Sequence, residues 1–244
     1  LHGTKHSFPT RRSSDLKAHT PVASFGTGEG CEWRIMNVKH EDVLTRFDLM
    51  KNGELVVSPA VRRCGSYQLY NLTAGIISAL FYGLDKAQVV RSIESFQGVK
   101  RRMEYRGKVN GAPLIEDFAH HPTAVRNVLK EVRDEFHGKK LIAAFEPRSN
   151  TTKRNIFQDE LAEALSIADE VVIGKIDRED QLTADEKLDM NKLLSDLKAK
   201  GKSAVHYEDS GEVAEYIKSR ANADSVILIM TNGSFDGIFK KLGL

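Results

Sequence analysis

The chain has 244 residues, enough for one large domain or two of ordinary size. Hydrophobic residues make up 41% and charged residues 29%, the composition of a folded globular protein rather than a disordered or fibrous one. Lys+Arg 36 against Asp+Glu 34 leaves a formal net charge of +2, so no charge bias points to a nucleic-acid or membrane-surface partner. No apolar run approaches the ~18 residues that span a bilayer. Cys31 and Cys64 are too few for a disulfide framework or a four-cysteine zinc site, and they fit a reducing compartment.

Residues 1–16 have no period of 2 or 3.6 and many loop-forming residues, so they are not expected to fold on their own. They lack the apolar middle of a secretory signal and the amphipathic stripe of a transit peptide. The run from His6 to Leu16 looks like a translated adaptor joined to a truncated reading frame, so residues 1–16 are read as non-native and the natural N-terminus as missing.

Residues 17–97 read as strands followed by helices. Glu32–Val38 and Thr45–Met50 alternate in polarity, Asn52-Gly53 supplies a turn, and Leu55–Val57 returns, which predicts a hairpin. Helices are expected over about Gln68–Tyr82, stopped by Gly83, and over Lys86–Phe96. Gly26-Thr27-Gly28-Glu29-Gly30 has the wrong spacing for a dinucleotide loop and precedes a strand, so it is read as a turn.

From Gly98 to Leu244 short apolar strands alternate with amphipathic helices. The strands fall at 114–115, 141–145, 171–173, 204–207 and 226–230, with helices near 122–136, 154–168, 190–200 and 211–220. This rhythm predicts a doubly wound α/β domain with a parallel sheet covered on both faces. Ligands of such sheets sit beyond the carboxyl ends of the strands. There the sequence places Glu116–Thr123, Glu146–Thr151, Gly174–Asp177 and Thr231–Ser234. Three of these four segments carry a cation or a potential one, so the rim is expected to be electropositive at one edge and to take an anionic small molecule.

Each rim residue has a duller reading beside the functional one. Asp117 also suits a carboxylate that caps a loop, and Lys100-Arg101-Arg102 also suits a solvated charge run. His120 and His121 are adjacent and point apart, and no ligand spacing surrounds them, so zinc is rejected. Pro122 fits the first turn of the next helix. Arg148, just past a buried strand, requires a carboxylate or phosphate partner. No G-x-x-x-x-G-K-[ST] phosphate loop and no Ser-His-Asp or Cys-His nucleophile set stands anywhere in the chain.

Three segments in order resemble the Mur ligase family: Gly65–Asn71, Gly98–Glu104, and Asp117-Phe118-Ala119-His120-His121-Pro122-Thr123-Ala124. The resemblance runs from about Pro21 to Leu244. It implies an α/β protein in which a C-terminal Rossmann-like, doubly wound parallel sheet (98–244) follows the strand and helix tail of a truncated central ATPase domain (17–97). Members are ATP-dependent ligases that join an amino acid or peptide to a UDP-linked muramyl carboxylate in the bacterial cytoplasm. Phe145–Thr151 and Met230–Ile238 resemble the branch that reattaches a recycled tripeptide to UDP-N-acetylmuramate. The alternatives are the branch adding L-alanine and a non-catalytic α/β binding module.

By that resemblance, Asn71 lies near adenine, Arg102 reaches the nucleotide, and Asp117 hydrogen-bonds the ribose. His120 and His121 face the phosphates in a catalytic role, and Arg148, Ser149 and Asn150, with Asn232 and Gly233, hold the incoming peptide. Where the family carries His-Asn, this chain has Tyr67-Gln68. The implied substrates are ATP, UDP-N-acetylmuramate and the tripeptide, with no nucleic acid or membrane partner. The implied cofactor is Mg²⁺, whose ligands belong to the missing upstream part along with the phosphate loop. The chain alone is therefore expected not to ligate, and its incomplete first segment is expected to expose apolar helix faces and self-associate.

Overall fold

The computed structural model describes residues 2–3, 22–41, 44–62, 65–149, 152–177, 183 and 186–244. The chain divides into two compact units, Leu1–Gly98 and Val99–Leu244.

In the first unit, β1 (His2–Gly3), β2 (Ser24–Gly26), β3 (Trp33–Glu41), β4 (Leu44–Lys51) and β5 (Glu54–Val57) follow one another across a sheet. A sixth strand, β6 (Ala60–Arg62), also pairs with β4. The β4–β5 hairpin turns on Asn52 and Gly53, whose φ values of 50° and 88° are the left-handed pair that a tight two-residue turn demands. Two helices follow, α1 (Ser66–Phe81) and α2 (Lys86–Glu94), with Gly83 at φ 80° ending the first. Leu69, Ile76 and Ile77 of α1 and Val89 of α2 join Trp33, Phe47 and Leu49 in one core. At the turn between the helices Phe81 is 84% and Tyr82 80% exposed, an apolar pair left facing solvent. Of residues 1–16, only His2 and Gly3 lie among those described; they pair in parallel with Ser24 and Phe25.

The second unit comprises β7 (Glu104–Val109), β8 (Ala112–Asp117), α3 (Pro122–Glu135), β9 (Lys140–Phe145), α4 (Gln158–Leu165), β10 (Glu170–Ile173), α5 (Met190–Ala199), β11 (Ser203–His206), α6 (Ser210–Arg220), β12 (Ser225–Met230) and α7 (Ile238–Lys241). The sheet order is β11-β10-β9-β12-β8-β7, with every neighbour parallel except β7, which runs antiparallel to β8. That antiparallel edge strand, not among those expected from the sequence, adds to the doubly wound parallel sheet that was. Glu104-Tyr105-Arg106-Gly107-Lys108-Val109 buries only Val109 and slips register around Arg106, so an edge strand of this kind lacks the continuous apolar signature of its neighbours.

Alternation along β9 shows how the layers form. Leu141, Ala143 and Phe145 pack with α3, α4 and α5 on one face, while Ile142 and Ala144 pack with α6 and α7 on the other. Neighbouring strands therefore send their chains to opposite faces: β8 and β9 lead to α3 and α4, and β12, between them, leads to α7. This is a topological switch point, and it opens a crevice beyond the strand ends. Asp117, Met230, Phe145, Ile173 and His206 pair in one level row across five strands, so everything after them lies on a common edge.

Gly174, just past β10, leaves room for the buried Phe235 ring. A Cβ there would sit 2.3 Å from Phe235 Cε2. Gly174→Ala is expected to lower the stability of the second unit by about 1–3 kcal/mol, the usual cost of overpacking. Urea melts followed by the near-ultraviolet signal measure this; an unchanged midpoint would contradict the packing described.

Candidate functional site

At the centre of the crevice, Asp117 ends β8 at 6% exposure. Its Oδ2 accepts the Met103 N–H at 2.9 Å and its Oδ1 the Ala119 N–H at 2.8 Å. Burial pushes its carboxyl above the ordinary 3.8, and the two backbone donors and nearby Arg102 only partly offset this. Each oxygen keeps a further lone pair for a hydroxyl donor.

The three basic residues before β7 separate sharply. Lys100 and Arg102 are exposed, and the Arg102 guanidinium lies 5.6 Å from the Phe118 ring centre. Arg101 is taken up internally. Its Nε donates to Glu116 Oε1 at 2.8 Å, and its Nη2 donates to the carbonyls of Thr231 at 2.7 Å and Gly233 at 2.6 Å. The solvated-run reading therefore fails for Arg101.

His120 and His121 adopt opposite roles through their Nδ1 atoms. His120 Nδ1 donates to the Phe118 carbonyl at 2.9 Å, which leaves Nε2 as an acceptor when the ring is neutral. His121 is the N-cap of α3, its Nδ1 accepting the Thr123 N–H at 3.3 Å, so its neutral ring carries the proton on Nε2. His121 also meets Phe157 edge-on, with ring centres 5.0 Å apart.

On the neighbouring strand ends, buried Glu146 accepts the Thr231 hydroxyl, and Thr231 Oγ1 accepts the Gly233 N–H at 2.9 Å. Arg148 faces Glu146 at 3.7 Å and Asp177 at 3.8 Å, so its charge is balanced without a short bond to either carboxylate. Its side chain lies across Gly233, where a Cβ would meet the Arg148 Cδ at 2.5 Å. Asn232 precedes Gly233, and its Oδ1 is buried with no hydrogen-bond partner among the described residues. Ser149 is committed to its own turn, bonding Thr152 through Oγ at 2.7 Å. Asn150 lies outside the described residues. Asn71 is exposed on α1 of the first unit, on the same helix face as Tyr67 and Gln68.

The expected electropositive rim is not what forms. Asp117, Glu146 and Asp177 line the same edge as Arg148, because a cation at a buried strand end must be matched by carboxylates before any ligand arrives. Glu116, Glu146 and Thr231 were not singled out from the sequence, although a Glu directly after Ile115 and another after Phe145 carried the signal. Among the described residues no three His, Cys, Asp or Glu side chains are grouped so as to hold a metal ion.

The family described as Mur ligase, glutamate ligase domain, matches residues 101–233, more than half of the chain. The chain belongs to the Mur ligase family. A UDP-N-acetylmuramate–L-alanine ligase of Desulfitobacterium hafniense is 25% identical over 237 residues, 97% of this chain and 52% of its own length. The UDP-N-acetylmuramate–L-alanyl-γ-D-glutamyl-meso-2,6-diaminoheptandioate ligase of Escherichia coli is 30% identical over 217 residues, covering 88% and 45%. Among solved structures, a murein peptide ligase of Psychrobacter arcticus superposes with TM-score 0.60 at 25% identity, covering 90% of this chain and 46% of that one. The UDP-N-acetylmuramate–alanine ligase of Thermotoga maritima shares the fold with TM-score 0.71 at 23% identity, covering 91% and 47%. The chain thus spans about half the length of the curated relatives it matches.

A raised carboxyl has a signed consequence. The proton-bound Asp117 favours the fold, so its stabilising contribution is complete below the ordinary carboxylate range and is lost as pH rises through the raised value. Carboxyl ¹³C NMR of the chain is expected to show Asp117 titrating above 3.8; a midpoint at or below that value would refute the burial argument.

Proposed function

We propose that this chain is the peptide-holding part of an ATP-dependent ligase that joins L-alanyl-γ-D-glutamyl-meso-diaminopimelate to UDP-N-acetylmuramate in the bacterial cytoplasm, serving peptidoglycan recycling. In this reaction the γ-phosphoryl group of ATP passes to the muramyl carboxylate, giving an acyl phosphate and ADP. The peptide amine then attacks the acyl carbon and expels phosphate. Phosphoryl transfer of this kind depends on positioning and placed charge.

The observation that carries the reading is Asn232 Oδ1, a buried acceptor with no donor among the described residues, one residue before the Gly233 against which the Arg148 side chain lies. Leaving such an atom unsatisfied costs about 1–3 kcal/mol. A peptide bearing an amine and carboxylates supplies both the missing donor and the anion. Asp117 and Arg102, close enough to couple electrostatically, suit a ribose hydroxyl and a phosphate. His120 and His121, presenting an acceptor and a donor nitrogen, suit a loop at the phosphates. Asn71 suits adenine. The 244 residues contain no phosphate-cradling loop, so this chain by itself holds substrate and does not ligate.

Titrating the chain with tripeptide and with free L-alanine tests the reading. The tripeptide is expected to bind, alanine is not, and Arg148→Ala and Gly233→Ala are each expected to weaken the tripeptide at least tenfold with little change in melting temperature. Preference for alanine would favour the alanine-adding branch. Indifference of tripeptide binding to Arg148 would favour a non-catalytic module. Ligated product formed by the chain with ATP, Mg²⁺, UDP-N-acetylmuramate and tripeptide would overturn the split between holding and catalysis.

A further inference from the structure

Three Asn-Gly pairs occur in the sequence: Asn52-Gly53, Asn110-Gly111 and Asn232-Gly233. Such a pair can modify itself without an enzyme. The glycine backbone N attacks the asparagine Cγ, a Cγ–N bond forms and the Cγ–Nδ2 bond breaks. Ammonia leaves, carrying the proton that the glycine N gives up. Water then opens the resulting cyclic imide. Cleavage of its bond to Cγ leaves aspartate. Cleavage of its bond to the main-chain carbonyl carbon leaves isoaspartate, with the backbone running through Cβ and Cγ. Glycine permits the attack because it has no Cβ to obstruct it. The reaction needs a free carboxamide and a peptide group able to turn its N toward Cγ, so the fold decides which pair reacts.

The three pairs are held very differently. Asn232-Gly233 is clamped: the Gly233 N–H donates to Thr231 Oγ1 at 2.9 Å, the Thr231 hydroxyl donates to Glu146, and the Gly233 carbonyl accepts from Arg101 Nη2 at 2.6 Å. The Arg148 Cδ lies 2.5 Å from where a Gly233 Cβ would stand, so that backbone is also packed. Asn110-Gly111 is held through its side chain. Asn110 Nδ2 donates to the Lys218 carbonyl at 2.8 Å, and a Cβ on Gly111 would lie 3.4 Å from the Ala223 backbone. Asn52-Gly53 has neither restraint. Both residues are exposed, and among the described residues the Asn52 side chain has no hydrogen-bond partner and the Gly53 N–H no acceptor. Nothing lies within 4 Å of a Cβ on Gly53. Their turn joins β4 to the four-residue β5 at the end of the order β1-β2-β3-β4-β5, where local opening costs least.

We propose that Asn52 is the spontaneous modification site of this chain, and that the Thr231–Glu146 clamp keeps Asn232 an amide. Isoaspartate at position 52 adds a backbone carbon to a tight turn whose spacing sets the pairs Lys51↔Glu54 and Met50↔Leu55, so the modified hairpin loses that register. Conversion of Asn232 would replace an amide by a carboxylate on the loop that the Arg148 side chain lies against. Asn232 also carries the peptide reading above, but its protection depends only on the bonds named here.

Ageing the folded chain in mildly alkaline buffer, and mapping aspartate and isoaspartate by peptide mass spectrometry, tests both halves. Asn52 is expected to convert at least tenfold faster than Asn110 or Asn232. In urea the three pairs are expected to convert at closely similar rates, because the fold no longer separates them. Thr231→Val keeps the side-chain shape and removes the hydroxyl; it is expected to speed Asn232 at least tenfold and to leave Asn52 and Asn110 unchanged. Thr231→Ser, which keeps the hydroxyl, is expected to leave all three rates unchanged. Conversion of Asn52 no faster than that of the other two in the folded chain would overturn the site. The same tenfold order persisting in urea would also overturn it, since the fold would not be its cause. Asn232 staying inert in Thr231→Val, or accelerating together with Asn110, would overturn the clamp.

Discussion

The second unit depends on one guanidinium. Arg101 sits at φ 59° in the left-handed region, its N–H donates to Glu104 Oε2 at 2.7 Å, and its carbonyl accepts the Phe118 N–H at 2.8 Å. From that anchored backbone the side chain reaches the buried Glu116 carboxylate and two carbonyls of the loop after β12. One residue thus ties together the lead into β7, the end of β8 and the Thr231–Gly233 loop. Without Arg101 the buried Glu116 carboxylate keeps only Arg106, at 3.4 Å, as a cationic partner, and the Thr231 and Gly233 carbonyls lose their donor. A left-handed non-glycine residue persists only where its surroundings hold it, and such residues concentrate at functional sites.

A second chain of bonds continues the work across the crevice. Glu146 accepts from Thr231, and Thr231 accepts from the Gly233 N–H. The loop bearing Asn232 is therefore fixed from β8 by Arg101 and from β9 by Glu146. Arg148 then rests against Gly233, where no larger residue fits without moving it. The groups suited to a peptide are held by strand ends rather than by their own flexibility, which reduces the entropy lost on binding. Beyond Gly233, Phe235 and Asp236 also take left-handed values of 47° and 48°. Asp236 is held there by the Ser210 hydroxyl at 2.9 Å and by Lys241 at 3.2 Å.

The parallel strands were legible because Leu141–Phe145, Val171–Ile173 and Val226–Met230 are apolar on both faces, a pattern that only a doubly covered sheet requires. The β4–β5 hairpin was legible because Asn-Gly is nearly a geometric instruction. The edge strand β7 was not, since one face and one edge of it meet solvent and its sequence carries no clean period. Strand-end position drew attention to Asp117, Arg148 and the Thr231–Ser234 segment, the family resemblance gave them roles, and the structure lays the Arg148 side chain against Gly233, the residue after Asn232. What neither source gave was the pairing of charges. A row of basic residues at 100–102 reads alike at each position, and only the fold determines that Arg101 turns inward to Glu116 while Arg102 stays outside. The same blindness produced the electropositive rim, because the carboxylates that balance Arg148 come from two different strand ends.

Amide hydrogen exchange on the Arg101→Met variant tests the central claim most directly. If this guanidinium holds the rim together, exchange at Met103, Ala119 and Gly233 accelerates by at least tenfold, while the amides of β9 and β10 keep their protection. Unchanged exchange at those three amides, in a variant with the same overall melting temperature, would contradict the account.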